Sequence, residues 1–361
     1  MAASEPIVQK KEFVQYFLIH RHGDRYSLNE ISYGPLWPQD DKFNQEHIGK
    51  LSPNGVIRMV ELGKEFKKEF DVPLVSWSTC QSRALESAWS FSLGYNPGIP
   101  VKLHSEKCPE VPLEKDSLIR YYSRESDDPL FGRYKSRWGK NYQAYQCISL
   151  RQDFQSTRGR RIIEYLQEIK LLPEEPSYQQ TVDIIKQLYS QILVDEQLYP
   201  SEHFNLIKEY QLTDDEVDWI IEVGIKILSC RFLDFDRRQF VADVAPLSVG
   251  IITYLRDKIL KISSSKFYEL SCHDSNIMAF ASILNLIIDP PLFSGYILLI
   301  RTKKKDSDTV SFYYCKQPGQ PRKLLFWPIH KELYHLEDCI EKKFDTSYFV
   351  MVLEDLMERY A

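Results

Sequence analysis

The sequence predicts an α/β fold, with a mostly parallel sheet, helices on both of its faces and a helical subdomain inserted between two parts of the core. Buried strands alternate with amphipathic helices over the first hundred residues and again after residue 240, an order typical of βαβ units. Between residues 110 and 240, helical periodicity recurs without a convincing strand. We therefore expect an α/β core from residues 1–109 and 241–361, and a helical cap from residues 110–240.

The first part of the core begins with a nearly continuous apolar run from Phe13 to Ile19, typical of a strand buried on both faces. Ser52 and Pro53 have the pattern of an N-cap followed by proline at the first helical position. A second buried strand is expected over residues 72–77, and a helix over residues 83–93. This order of strand, helix, strand and helix favours a sheet covered on both faces.

The remaining elements are predicted from the same periodicities. One helix of the insertion begins with Thr213 and Glu216 in capping-box spacing. The last two strands flank the polar turn KKKDSD and so form an antiparallel hairpin. In chain order we expect helices over residues 161–171, 182–193, 216–228 and 246–262, a strand over 267–271, a helix over 277–286, and strands over 296–302 and 310–315.

Length and composition exclude several classes of protein. The chain has 361 residues, of which 43% are hydrophobic and 27% charged, as in a globular protein. Forty-six basic residues against 51 acidic ones give a net charge of -5, which argues against a protein that binds nucleic acid over its whole surface. No apolar stretch reaches the roughly 18 residues that a membrane-spanning helix needs. We expect no nucleic-acid partner and no transmembrane segment.

The cysteines and the first residues bear on the compartment. Seven cysteines are scattered along the chain, and a complete set of disulfides would leave one thiol over. The first residues, MAASEPIVQKKEF, lack the apolar region of a signal peptide. These features favour a cytoplasmic protein, or a secretory or lysosomal one if a leader has been removed from this sequence.

The segment from His20 to Arg25, HRHGDR, follows the first strand directly. Ligands of open α/β sheets bind beyond the carboxyl ends of the strands. Arginine's planar fork of donors suits phosphate oxygens, an imidazole nitrogen is a nucleophile toward phosphorus, and glycine lets the backbone approach a ligand. The segment therefore indicates a phosphate site, although a histidine and two arginines at a strand end more often form a solvated loop.

Two further segments follow predicted strands, STCQSRALESA at 78–88 and CHD at 272–274. In isolation Arg83 would be a surface residue of a helix, and His273 with Asp274 would be a helix start capped by Asp274 or Ser275. The carboxyl ends of parallel strands share one edge, however, so we expect the chemically capable side chains of all three segments to converge. They are Arg21, His22, Arg25, Arg83, His273 and Asp274.

This combination resembles the histidine acid phosphatase family, branch 2 of the histidine phosphatase superfamily. RHGDR at 21–25, STCQSRALESA at 78–88 and HD at 273–274 carry the resemblance, and LSPNG at 51–55 is similar to the family's segment before its first helix. Tyr26 directly after RHGDR resembles the subgroup that includes 2-phosphoxylose phosphatase. The HD pair is closer to the acid phosphatases than to the phytases and inositol polyphosphate phosphatases, which typically carry His-Ala-Glu at this place. The resemblance implies a phosphoglycerate-mutase-like three-layer core, with the insertion as a cap over the site.

For the activity, the resemblance implies a phosphomonoester hydrolase with an acidic pH optimum. His22 would attack phosphorus to form a phosphohistidine, and Asp274 would protonate the leaving alkoxide and later accept a proton from water. The substrate would be a phosphorylated small molecule, sugar, lipid or peptide; the oligomeric state stays open, with a homodimer as one alternative. No metal or cofactor is expected, because four cationic side chains would hold the phosphate oxygens: Arg21, Arg25, Arg83 and His273.

Other interpretations stay open at this point. A catalytically silent module of the same fold would bind phosphate or a polyanion with the same arginines, although binding alone needs neither His22 nor Asp274. A phosphomutase would normally use glutamate as the acid. A metal site formed by His20, His22 and His273 is a further alternative, but no carboxylate or cysteine stands at ligand spacing to support it. Cys272 is more typical of a small buried residue than of a reactive thiol.

Residues 131–161 form an unusual stretch of the insertion, with eight basic residues against one acidic residue and six aromatic residues among them. The hypothesis is that Arg133, Lys135 and Arg137 recognise further negative charge on the substrate, such as a second phosphate, a sulfated sugar chain or an anionic lipid headgroup. The alternative is a solvated face whose charge is balanced by the preceding acidic stretch.

Overall fold

The strands of the computed structural model form an eight-stranded mixed sheet and a separate two-stranded ribbon. The structure describes residues 13–26, 49–79, 81–98, 119–122, 142–197, 210–234, 239–241, 245–260, 264–284, 286, 288–317, 323–325 and 344–360. The strands are β1 (Phe13–Arg21), β2 (Leu74–Thr79), β3 (Ile119–Tyr122), β4 (Leu233–Asp234), β5 (Gln239–Phe240), β6 (Lys266–Cys272), β7 (Tyr296–Lys304), β8 (Ser307–Cys315), β9 (Lys323–Leu325) and β10 (Phe344–Asp345).

The helices flank this sheet or form the inserted part of the chain. They are α1 (Pro53–Glu69), α2 (Ser82–Tyr95), α3 (Tyr142–Gln146), α4 (Ile148–Gln155), α5 (Thr157–Glu168), α6 (Tyr178–Gln197), α7 (Asp214–Ser229), α8 (Pro246–Leu260), α9 (Asp274–Ile283) and α10 (Thr346–Tyr360). No helix among the residues listed above is long and apolar enough to cross a bilayer.

Strand order in the sheet is β10-β8-β7-β1-β6-β2-β3, with β9 paired to β8. β1, β6, β2 and β3 run parallel to one another, and β7 to β10 extend the sheet with antiparallel pairs, beginning with β7 against β1. The register pairs Arg21 with Cys272 at the carboxyl ends of β1 and β6. The predicted convergence of the first and third motif segments thus follows from strand pairing.

Alternating side chains of β1 point into two different cores, which makes the molecule three-layered. Phe17 and Ile19 pack in the core formed with α8, α9 and α10, whereas Leu18 packs with α1 and α2 on the opposite face. Such alternation is what a strand buried on both faces requires. The predicted α/β class is confirmed. The three motif segments follow the carboxyl ends of the parallel strands β1, β2 and β6.

The inserted helices have a core of their own. Apolar residues of α3 to α7 form one cluster that includes Leu150, Ile162, Tyr189 and Trp219. Thr213 caps α7 in the predicted capping box, in which its hydroxyl accepts from the Glu216 N–H and the Glu216 carboxylate accepts from the Thr213 N–H. A cap of this kind is worth about 1 kcal/mol. A separate core is what an inserted subdomain needs, and its limits stay a prediction.

Two expectations about strands were wrong. We expected no strand between residues 110 and 240, yet β3 pairs parallel with β2 in the main sheet, and β4 pairs with β5. These strands are two to four residues long, too short to show a period of two. The hairpin of β7 and β8 is confirmed, but its polar turn is shorter than KKKDSD, because Lys303 and Lys304 pair with Asp308 and Ser307.

Candidate active site

The turn after β1 is held against the start of α1 by close backbone contact. Ser52 caps α1, accepting from the Gly55 N–H, and its own N–H and hydroxyl donate to the Asp24 carbonyl. A Cβ on Gly55 would lie 2.2 Å from the Asp24 oxygen, and one on Gly23 would lie 2.7 Å from the Gly55 oxygen. Both glycines are therefore required by the approach of two backbones, which explains why LSPNG accompanies RHGDR.

A serine of α2 ties the same turn to the second motif segment. The Gly23 N–H donates to the Ser87 hydroxyl over 2.9 Å, and that hydroxyl donates to the Arg83 carbonyl over 2.6 Å. The turn that carries His22 and the first turn of α2 that carries Arg83 are thus connected by one buried hydroxyl. Asp24 is fully buried and accepts from Arg58 of α1 over 3.2 Å.

The ring of His22 is buried, and its two nitrogens have different partners. Nδ1 lies 2.9 Å from the Gly23 carbonyl oxygen, which only accepts, so Nδ1 carries the proton. Nε2 accepts from Nε of Arg83 over 3.1 Å. Burial lowers the pKa of His22 well below its usual value, and Arg83, Arg21, His273 and Arg25 lower it further. The imidazole is therefore neutral, with its lone pair on Nε2.

Arg21 is fixed on several sides, although it is a long and flexible side chain. One guanidinium nitrogen donates to the Pro291 carbonyl over 2.8 Å, another lies 3.2 Å from a carboxylate oxygen of Asp274, and the guanidinium stacks over Phe293 at 4.3 Å. Arg25 also lies near this ring, 5.4 Å from the Phe293 centroid. These contacts hold the two arginines beside the His22 ring, which itself lies 5.6 Å from Phe293.

His273 and Asp274 begin α9 directly after β6. His273 is the N-cap residue of α9, and not Asp274 or Ser275, as the alternative interpretation of this segment had it. The cause is local: the Asn276 side chain accepts from the His273 N–H, and this contact starts the helix one residue earlier. Nε2 of His273 is hydrogen-bonded to Thr79 at the end of β2, and its ring lies 5.5 Å from that of His22.

Asp274 is ionised at ordinary pH despite its environment. Burial tends to raise the pKa of its carboxyl group, but Arg21, Arg231, His273 and the Ser275 N–H outweigh burial and lower the pKa to about 2. Four of the six residues predicted for catalysis and phosphate binding thus lie around His22, and Asp274 contacts one of the four, Arg21. The structure brings these six residues together.

Three groups of this site were missed in the sequence. Phe293 contacts both Arg21 and Arg25; Ser294, buried with a positive φ of 62°, donates its N–H to the His22 carbonyl; and Arg231, which follows α7, lowers the pKa of Asp274. A positive φ is unusual for a residue with a Cβ, and here it occurs at a residue that is hydrogen-bonded to the backbone of His22. No sequence pattern marks these residues, because chain distant from the motifs brings them in.

His20 and Cys272 are both buried and hydrogen-bonded within the protein. His20 is fully buried and pairs with Glu269, so it does not face His22, and no cluster of metal-binding type occurs among the described side chains. Cys272 is a buried thiol that donates to the His20 carbonyl, and burial raises its pKa well above the usual value. The preference for a small buried residue at position 272 agrees with this environment.

The basic stretch is described only from residue 142 onward; Arg133, Lys135 and Arg137 lie outside the described residues. In the described part, Arg158 contacts Asp215 and Glu222, and Arg161 contacts Asp215. The acids that balance these two arginines are therefore on α7, which follows the stretch, and the acidic segment before it lies outside the described residues apart from residues 119–122. Arg151 stacks on Tyr178 at 4.2 Å.

No family model matches the sequence, and no curated protein matches it. Solved structures do match over nearly the whole chain. The Citrobacter braakii phytase has a TM-score of 0.63 at 14% identity, covering 97% of this chain and 98% of that one. The Hafnia alvei phytase in complex with tartrate has 0.61 at 13%, covering 95% and 97%, and the Klebsiella sp. ASR1 phytase has 0.57 at 13%, covering 96% of each.

At sequence identities this low, the structural similarity establishes the fold alone. These phytases have the histidine acid phosphatase fold, and the chain described here shares it. The expectation drawn from the three motif segments is thereby confirmed for the architecture.

Proposed function

We propose that this protein is a phosphomonoester hydrolase of the histidine acid phosphatase family and that it acts through a phosphohistidine on His22. The observation that carries the proposal is a neutral, buried imidazole whose lone pair on Nε2 faces Arg83, with Arg21, Arg25 and His273 close by. Nucleophile and cationic cradle are the two things that phosphoryl transfer needs. The same arrangement would be superfluous in a silent binding module.

In the first step Nε2 of His22 forms a bond to phosphorus while the bond between phosphorus and the ester oxygen breaks. Asp274, or the phosphate group itself, supplies the proton that the leaving alkoxide takes up. In the second step water attacks phosphorus and gives a proton to the Asp274 carboxylate, the bond to Nε2 breaks, and inorganic phosphate leaves. Arg21, Arg25, Arg83 and His273 stabilise the charge on the equatorial oxygens throughout.

The low pKa of Asp274 bears directly on the proposed acidic optimum. A carboxyl with a pKa of about 2 holds no proton at pH 5 in the free protein. A phosphomonoester is largely a monoanion below pH of about 6 and brings a proton with it. A phosphate in the cradle also competes with Asp274 for Arg21, which raises the carboxyl's pKa. We therefore place the needed proton in the complex, and activity should fall as the substrate becomes a dianion.

The cradle supplies positive charge from fixed side chains, and these residues fit a phosphate without a metal or cofactor. We assign the helical insertion, residues 110–240, as the cap that covers the site and selects the substrate. Its basic residues Arg133, Lys135 and Arg137 are candidates for contacts with a second anionic group.

From the scattered cysteines we infer a reducing compartment, which cell fractionation tests.

The direct test is turnover of 4-nitrophenyl phosphate between pH 4 and 7 by the wild type, His22→Ala and Arg256→Ala. Arg256 lies on α8 and contacts Asp257, so it serves as a control. We expect loss of activity on the order of 10⁴-fold or more only in His22→Ala, and an acid-labile phosphohistidine in the wild type. Phosphate binding without turnover in the wild type would favour the silent module, and equal activity in all three proteins would refute the mechanism.

A further inference from the structure

A buried pair of ionisable side chains lies beneath the site and has no part in the chemistry above. His20 on β1 and Glu269 on β6 are fully buried, and Nε2 of His20 contacts Oε1 of Glu269. The hydroxyl of Ser76, on β2, contacts the other carboxyl oxygen of Glu269. Phe91 of α2 stacks on the imidazole at 5.9 Å. The polar groups form a row across three neighbouring parallel strands.

Donor and acceptor chemistry determines how many protons this row holds. Nδ1 of His20 lies 3.0 Å from the Arg21 carbonyl oxygen, which only accepts, so Nδ1 carries a proton. A second proton lies between Nε2 and the Glu269 carboxyl, because two bare acceptors would repel. The pair is uncharged as a unit, whether it is written as imidazolium with carboxylate or as imidazole with carboxylic acid. This balance permits its burial, since an unpaired charge would cost several kcal/mol.

We propose that His20, oriented by Glu269, is a positioning residue that fixes the peptide group between Arg21 and His22. The carbonyl of that peptide accepts from Nδ1 of His20, and its N–H donates to the Cys272 carbonyl over 3.0 Å. Both polar atoms of the peptide are therefore held, one by a side chain and one by β6.

Rotation of this peptide would displace the Arg21 guanidinium and the His22 ring together. A displacement of about 1 Å at a reacting group costs on the order of 10²-fold in rate. Glu269 contacts His20 and Ser76 and acts by fixing the ring of His20. The inference rests on the proposed function, because the positioned groups are its nucleophile and one arginine of its cradle.

Two double variants separate positioning from a purely structural role. His20→Leu/Glu269→Met removes both ionisable groups and the donor to Arg21. His20→Asn/Glu269→Gln also removes both ionisable groups, but the asparagine amide keeps an N–H near the place of Nδ1. Packing alone would tolerate either pair, whereas the proposal distinguishes them.

The measurements are the thermal midpoint, kcat and KM with 4-nitrophenyl phosphate, and the affinity for inorganic phosphate by calorimetry. We expect the apolar variant to lose about 10- to 100-fold in kcat and to bind phosphate more weakly, and the polar variant to recover most of both. A folded apolar variant with wild-type kcat and phosphate affinity would overturn the proposal.

If the apolar variant does not fold, NMR of the wild type decides. A slowly exchanging Nδ1–H of His20 that shifts when inorganic phosphate binds supports the proposal, and its absence, or its indifference to phosphate, overturns it. Phosphate affinity and the NMR signal need no turnover. A wild type that binds phosphate without hydrolysing any ester would therefore contradict the proposed function while the positioning role is still tested.

Discussion

Nε of Arg83 donates a hydrogen bond to Nε2 of His22 across 3.1 Å, and Nδ1 of the same ring donates to the Gly23 carbonyl. One arginine thus holds the lone pair with which His22 would attack, while burial of the ring, helped by the charge of Arg83, lowers the pKa of His22 and keeps the ring neutral. For the reaction to proceed, the guanidinium must exchange the imidazole for a phosphate oxygen. Arg83 is therefore placed to hold the nucleophile before substrate binds and the phosphoryl group afterwards.

Replacing Arg83 by glutamine should change both the rate and its pH dependence. After burial, Arg83 is the largest cause of the low pKa of His22, so Arg83→Gln raises that pKa toward its usual value. A larger fraction of His22 is then protonated at acidic pH, and an imidazolium cannot attack. We expect the acidic limb of kcat/KM to move to higher pH, and kcat/KM at the optimum to fall about 10²- to 10³-fold.

Rate profiles and an NMR titration of His22 measure this, with Arg256→Gln as the matched control on α8. A His22 pKa that stays the same or falls in Arg83→Gln would contradict the electrostatic argument, whatever happens to the rate.

Asp274→Asn should separate proton donation from phosphate binding. The amide cannot deliver a proton, and the loss should depend on how much the leaving group needs one. We expect a loss of about 10²- to 10⁴-fold for an alkyl phosphate, as for other general acids, and a much smaller loss for 4-nitrophenyl phosphate. Initial rates with the two esters at pH 5 measure it, and equal losses with both would remove Asp274 from this role.

The sequence predicts the core of this site well because its signals are local. An apolar run, a cap at Ser52 and a motif of six residues specify β1, α1 and the turn between them without help from distant chain. β3 was not predicted because four residues are too few to show the alternation of apolar and polar side chains that marks a strand. Its pairing with β2 decides its conformation. Phe293 and Arg231 escaped for a related reason, since only the folded chain brings the segment around 291–295 and the end of α7 to the motifs.

The pair of His20 and Glu269 shows the same limit. A histidine at position 20 could be noticed in the sequence, but its partner lies 249 positions away on β6. Strand register, which places β1 beside β6, is what turns two isolated ionisable residues into an uncharged pair. The sequence therefore offered little support for a metal ligand at position 20 and could not show that His20 donates a hydrogen bond to the Arg21 carbonyl.

Gly55→Ala should displace the turn that carries His22. The new Cβ would lie 2.2 Å from the Asp24 carbonyl oxygen, a backbone atom that cannot move without the motif. We expect a loss of stability of about 1 to 3 kcal/mol, as in other overpacked sites, together with a lower kcat. Gly98→Ala is the matched control, since nothing lies within 4 Å of its Cβ. Denaturant unfolding and kcat measure both variants, and a Gly55→Ala protein as stable and active as Gly98→Ala would contradict the close approach.

Charge reversal in the basic stretch tests whether the cap reads a second anionic group. Each lost charge-assisted contact is worth about 1.5 to 3 kcal/mol, so Arg133→Glu/Arg137→Glu should lower kcat/KM for a bisphosphate ester at least tenfold more than for 4-nitrophenyl phosphate. Arg158→Glu/Arg161→Glu makes the same change in net charge at residues already paired with Asp215. Surface pairs of this kind contribute at most about 1 kcal/mol, so this control should fold. Unchanged kcat/KM for both esters in Arg133→Glu/Arg137→Glu, or equal effects in the two double variants, would leave the stretch as a solvated face.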